Sequence, residues 1–248
     1  MKYLKNKIFL ALFLLMGLIF LVSTVGGTRA ALIESETYET QFEMYHIGIT
    51  LNEGGKPLTW RNYQDGDWHV NADTELLKDL TEIKYGQLYK EELSVTNSGQ
   101  IDEYVRVTIY KYWLDENGQK TSALDAKLIH LNLTDDADWI LDTDYSTDER
   151  TVLYYALPLE SGKTTPLFLN SIILDGSIKN YIIQTETAPD ADGYTVVTNI
   201  YKYDGKTFCI DVEADGVQTH NAKEAAQSAW GRAITISGDR LSLAKEGQ

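Results

Sequence analysis

Cysteine occurs once in these 248 residues, as Cys209, so no disulfide can form within the chain. At this size about 70% of the unfolded surface is buried on folding, and a core of that extent needs no covalent staple. Cys209 lies in the apolar stretch Phe208-Cys209-Ile210, where a thiol behaves as a small buried hydrophobe. Histidine is scarce too: His46, His69, His130 and His220 never fall within five residues of one another. The two-histidine helix motif of zinc proteases is therefore missing. No nucleophile motif occurs. Ser161-Gly162-Lys163-Thr164 is similar to the tail of a P-loop, but the upstream glycine spacing is absent. Basic residues are also few, 22 Lys plus Arg against 37 Asp plus Glu, for a net charge of −15. A surface of that sign repels nucleic acid and anionic lipid, which excludes nucleic-acid binding. No LPxTG-like sorting motif or apolar tail follows Leu243, so covalent attachment to a wall is not expected.

Acidic residues are what the chain has in excess. Asp135-Asp136-x-Asp138, Asp142-x-Asp144, Asp148-Glu149 and Asp190-x-Asp192-Gly193 each gather oxygen ligands of the kind calcium prefers. None spells an EF-hand loop, and in so acidic a chain solvated loops are the expectation. No cofactor is expected, with calcium as the sole candidate.

The first 31 residues fix the compartment. Lys2, Lys5 and Lys7 precede the uninterrupted apolar run Ile8 to Val22, and small residues then lead to Gly26-Gly27-Thr28-Arg29-Ala30-Ala31. Basic, apolar, small is the order of a secretory signal, and the run is shorter than the ~20 apolar residues of a spanning helix. Small Thr28 and Ala30 predict cleavage after Ala30, with Ala31 first in the exported chain. An uncleaved anchor is the alternative, and the one route by which this chain would meet a membrane. The expected organisation is a signal peptide over 1–30 and a single secreted domain over 31–248.

Two segments carry a resemblance. Gly26-Gly27-Thr28-Arg29-Ala30-Ala31-Leu32 resembles the processing site of proteins matured by the SipW-type signal peptidase of Gram-positive bacteria. Leu93-Ser94-Val95-Thr96-Asn97-Ser98-Gly99, followed by Tyr104-Val105-Arg106-Val107, resembles a segment common among such exported proteins. The likeness is to the TasA/camelysin family of biofilm matrix proteins. It implies a SipW-type peptidase and further copies or other matrix proteins as partners, and fibre growth by donation of an N-terminal strand. By that resemblance Ala31 to Thr50 is the candidate donor, with Tyr38, Phe42, Met44, Ile47 and Ile49 as its apolar positions. Pairing within its own sandwich is the other reading. A protease activity described for camelysin has no recognisable zinc site here.

Sixteen tyrosines with many Thr, Val and Ile residues favour sheet. The expected fold is mainly β, an antiparallel, jelly-roll-like β-sandwich with one or two short peripheral helices. Thr37 to Leu51 alternates in two phases, even through Met44 and odd from Ile47, which predicts a bulge or a change of sheet near Tyr45-His46. Trp60 to Trp68 reads as a polar loop with aromatics; Ala72 to Leu80 reads as either a short helix or an edge strand.

Lys90 to Thr96 and Ile101 to Leu114 predict a hairpin around Asn97-Ser98-Gly99-Gln100, with Gly99 at positive φ. On its second strand Val105, Val107, Ile109 and Trp113 share one face, and Tyr104, Arg106, Thr108, Tyr110 and Tyr112 the other. Ser122 predicts a helix cap. Asp204-Gly205 predicts a type I′ hairpin between Tyr194–Tyr203 and Lys206–Ala214. Asn221 and Glu224 predict a capping box opening a helix over Ala222 to Trp230, which Gly231 ends.

The function these readings suit is a secreted, non-catalytic structural or matrix protein. An adhesin or carbohydrate binder using Trp60, Tyr63 and Trp68 is the first rival, and a camelysin-like protease the second.

Overall fold

Two antiparallel sheets pack face to face around apolar side chains that alternate along their strands. The computed structural model describes residues 47–64, 67–71, 76–77 and 83–244, with the backbone alone over 60–64 and 67–71. The first sheet has the order β3-β2-β1-β4-β10-β7, from β1 (Gly48–Glu53), β2 (Lys56–Gln64), β3 (Asp67–Asn71), β4 (Leu88–Asn97), β7 (Ile129–Leu133) and β10 (Leu169–Leu174). The second runs β13-β5-β9-β8, from β5 (Glu103–Leu114), β8 (Trp139–Leu141), β9 (Arg150–Tyr155) and β13 (Thr207–Gln218), with the short β6 (Lys120–Thr121) beside β5.

Period-two alternation builds this core. Leu93 and Val95 of β4 meet Val105, Val107, Ile109 and Trp113 of β5, all essentially inaccessible to solvent. Trp139 packs edge-on against Phe168, with ring centroids 5.5 Å apart. A third layer covers the outer face of the second sheet. Helix α1 (Ala222–Trp230) and the hairpin β14 (Ile234–Ser237)–β15 (Arg240–Leu243) bury Ala226, Trp230, Ile234 and Leu241 against Tyr104, Val152 and Tyr154. A separate two-stranded sheet, β11 (Ile182–Glu186) with β12 (Val197–Tyr201), completes the described residues. The mainly β sandwich and its peripheral helix are as the sequence predicts.

Several local expectations are overturned. β4 and β5 do not form a hairpin: they lie in different sheets, and residues 98–102 cross between them. Each strand offers an apolar row that is buried when the rows face one another across the core, not when they lie side by side. Residues 60–64 and 67–68 are not loop but parts of β2 and β3, with Tyr63 opposite Trp68 in the backbone register. Ala72 to Leu80 lies mostly outside the described residues; Leu76 and Leu77 form a turn.

Asp204-Gly205 does turn the chain, with Gly205 at φ +68°, yet β12 pairs with β11, and β13 pairs with β5 over twelve residues. The longer ladder takes the strand. Ser122 caps no helix; Asp125 instead caps a 3-10 turn over Ala126–Leu128, accepting from the Lys127 N–H at 2.8 Å. Leu131 to Trp139 divides into β7 and β8, again in opposite sheets. Helix α1 has the predicted bounds, but Asn221 is left-handed (φ 54°) and makes no side-chain cap bond. A capping side chain requires extended backbone at that position. Ala226 and Trp230 face the sheet, whereas Ala229 is exposed.

Candidate functional site

The N-terminal end of β1 is held by a cluster of buried polar groups. Asn97, fully buried at the end of β4, donates from Nδ2 to the carbonyls of Ile101 (2.7 Å) and Leu159 (2.8 Å) and accepts the Gly99 N–H on Oδ1 at 2.8 Å. Its backbone N–H donates to Lys163 O, and its carbonyl accepts the Gly162 N–H. The stretch that is similar to a P-loop tail is therefore occupied in closing this crossing. Gly99 does not adopt positive φ; the Asn97 side chain makes the turn.

Beside it, Glu103 accepts the Gly48 N–H on Oε1 at 3.0 Å, while its buried Oε2 has no partner. Burial pushes this carboxyl up to about 7, against the opposing pull of the Gly48 N–H. Gly216 of β13 lies over it, where a Cβ would collide with Oε2 and press on Ile49.

Sequence reasoning missed Glu103 and also Glu91, which is buried on β4 with Oε1 unpartnered. Burial, and then Glu53 beside it, push the Glu91 carboxyl up to about 8. The available signal was parity. Glu91 shares the inward face with Leu93 and Val95, and Glu103 shares it with Val105 and Val107.

Tyr104 and Arg106 project from the other face of β5 and pin the third layer. The Tyr104 hydroxyl donates to the Asp239 carbonyl at 2.8 Å. Arg106 pairs with Asp215 at 2.6 Å, donates to the Trp230 carbonyl and lies over the Trp230 ring, 5.7 Å from its centroid. The four residues singled out by the second resemblance, Asn97, Gly99, Tyr104 and Arg106, thus serve the crossing and the covering layer.

Past this cluster lies β13, the edge strand of the second sheet among the described residues. Among the described residues β13 pairs with β5 alone. Beside its first half, residues 207–212, runs an open apolar groove of about 650 Å³, lined by Leu51, Leu58 and Ile83 together with Phe208, Ile210 and Val212. Cys209 lies in the same stretch, half-buried, its thiol pushed up by burial. A strand edge with alternate apolar side chains beside it can take an extended segment, since main-chain groups supply the bonds and pockets the register.

The donor-strand expectation needs correction at its C-terminal end. Ile49 and Thr50 belong to β1, which pairs with β2 on one side and β4 on the other. Both edges of β1 are occupied, so these residues serve their own sandwich. Ile47 immediately precedes β1 and lines a cleft with Ala214, Asp215 and Trp230. Tyr38, Phe42 and Met44, the phase switch at Tyr45-His46, and the cleavage residues Ala30 and Ala31 lie outside the described residues.

The acidic clusters have partners of their own. Asp142 and Asp144 hold Arg232 (2.7 and 3.3 Å), Asp138 holds Arg240, Asp148 holds Lys127 and Glu149 holds Lys120. Asp190 closes a turn by accepting the N–H groups of Asp192 and Tyr194. Among the described residues no three His, Cys, Asp or Glu side chains are placed to hold a metal ion. His130 pairs with Asp175, whose carboxyl is held well below the usual range by hydrogen bonds from Ser177 and then His130.

No family model matches the chain, and no curated protein matches it. Among solved structures it is similar to a chain in a crystal structure of a CaDoc0917–CaCohA2 complex. That match is at 12% identity over 46% of this chain and 78% of the other, with a TM-score of 0.25. At that score the likeness bears on neither fold nor function.

Proposed function

We propose that this chain is exported and acts outside the cell as a structural, non-catalytic matrix protein that joins further copies by β-strand addition. The observation that carries the reading is the edge of β13, which among the described residues pairs with β5 alone, with an apolar groove beside its first half, residues 207–212. Such an edge is an aggregation liability when left bare and an assembly site when a defined strand covers it. With residues 48–53 committed to their own sheet, the donor narrows to residues 31–46. The reading rests on the TasA-like resemblance for the identity of that donor and on the edge for its acceptor.

The test is elongation of the exported protein, confirmed by mass spectrometry to begin at Ala31 and followed by electron microscopy. Deleting residues 31–40 is expected to leave folded protein that no longer elongates and that binds a synthetic peptide of residues 31–46. Fibres growing at the normal rate from the truncated chain would overturn strand donation.

A further inference from the structure

The β11–β12 hairpin stands apart from both layers of the sandwich, and every residue of its two strands is exposed. Ile182, Ile183, Val197, Ile200 and Tyr201 are among them, and Tyr194 and Val196 extend the apolar surface beyond the strands. A two-stranded ribbon alone in water is marginally stable and gains from further strands.

Its outward-facing backbone follows from two bonds. Lys202 donates to the Tyr181 carbonyl (2.8 Å) and Thr187 to the Val196 carbonyl (3.0 Å). With the register Ile183–Ile200 and Thr185–Thr198 between them, these residues point inward. The N–H and C=O groups of Val197 and Asn199 and the N–H of Tyr201 therefore face away from β11, on an edge with no charged residue, while the Tyr201 carbonyl accepts the Asp204 N–H at 3.1 Å. The opposite edge, Ile182, Gln184 and Glu186, carries a carboxylate.

Charge is polarised along the hairpin. Glu186, Asp190 and Asp192 lie toward its tip, while Lys179 and Lys202 flank its base with one acid, Asp204. We propose that the outer edge of β12 docks the same edge of a second copy. The product is a two-fold, four-stranded sheet of order β11-β12-β12-β11 centred on Asn199. Val197 then faces Tyr201 of the second copy, a cross-strand pair of the favourable aromatic and β-branched type. The Gln184–Asn199 amide bond (3.0 Å) continues into a row of four amides. Two-fold antiparallel pairing sets each acidic tip beside a basic base. Pairing through β11 would instead set Glu186 against Ile182. A five-residue edge buries less than the ~800 Å² per partner of a standard interface, so the contact is weak and concentration-dependent. It is separate from donation at β13 and does not rest on it.

The test is sedimentation of the exported protein over a concentration series. Asn199→Pro deletes an N–H that points away from β11 and so spares the hairpin ladder; Asn199→Lys opposes two like charges across the two-fold axis. Each is expected to weaken dimerisation at least tenfold, while Ile182→Pro, on the outer edge of β11 and outside the proposed contact, leaves it intact. With Cys209→Ser as background, Asn199→Cys is expected to give a disulfide-linked dimer under mild oxidation, and Gln184→Cys none. A monomer at every concentration would overturn the proposal. So would a dimer indifferent to both Asn199 substitutions, or association that disappears only on deleting residues 31–40.

Discussion

Glu103 keeps one oxygen on the Gly48 N–H and leaves the other bare inside the core. A carboxylate in that position would be an unpaired buried charge, and a neutral carboxyl is far cheaper to leave there. The sign of the pH dependence follows. The folded protein holds this proton up to about 7, whereas the unfolded chain releases it near 4.5. The folded state thus binds more protons between those values, so the stabilisation present below pH 4.5 is lost as pH rises towards 7. Glu91 acts in the same direction up to about 8. Glu103→Gln keeps the shape and an acceptor for Gly48 without the titration. Between pH 5 and 8 the wild type is expected to lose about 2–3 kcal/mol relative to Glu103→Gln, measured by urea denaturation at each pH. Parallel pH profiles for the two proteins would show that the Glu103 carboxyl holds its proton equally in the folded and unfolded states, and would overturn the upward push of burial. Residue parity makes Glu103 legible in the sequence. The role of Asn97 is not, because its three side-chain bonds reach Ile101, Leu159 and Gly99 only once two sheets have been stacked.

Among elements, alternation was readable and partners were not. The inward row Val105, Val107, Ile109 and Trp113 was plain from period two, and helix α1 from its propensity and Gly231. Whether β4 and β5 pair in one sheet or face each other across the core depends on long-range burial, which a turn signal at Asn97-Ser98-Gly99 does not encode. The covering layer depends on a comparably remote contact. Arg232, just after α1, is buried against Asp142, which follows β8; their side chains are 4% and 1% exposed. Removing one member of such a pair strands a charge, while replacing both with apolar groups is near neutral. Arg232→Ala is expected to cost about 3–5 kcal/mol in a denaturation midpoint. Arg232→Met with Asp142→Leu is expected to recover most of that loss. If the double variant is as unstable as the single one, the pair contributes packing that charge alone does not explain.

For the whole molecule the governing quantity is charge. The proposed removal of residues 1–30 would take away Lys2, Lys5, Lys7 and Arg29 and no acid, leaving 18 Lys plus Arg against 37 Asp plus Glu, a net of −19. Several acids are neutralised locally, by Arg232, Arg240, Lys120 and Lys127, yet acids still outnumber bases by 19 in the shortened chain. Copies joining at β13 would bring two such surfaces together over a groove lined by Leu51, Leu58, Phe208, Ile210 and Val212. Apolar contact there is little affected by screening, whereas repulsion between the surrounding surfaces falls as the Debye length shrinks from ~10 Å at 0.1 M salt to ~3 Å at 1 M. Elongation by the proposed strand addition is therefore expected to accelerate with sodium chloride, read as light scattering between 0.05 and 0.5 M. Magnesium chloride at equal ionic strength is expected to accelerate it at least as much, because divalent ions neutralise clustered carboxylates more effectively. A rate that falls with salt would mean that attraction between opposite charges, not burial of the groove, drives addition, and would move the acceptor away from the β13 edge.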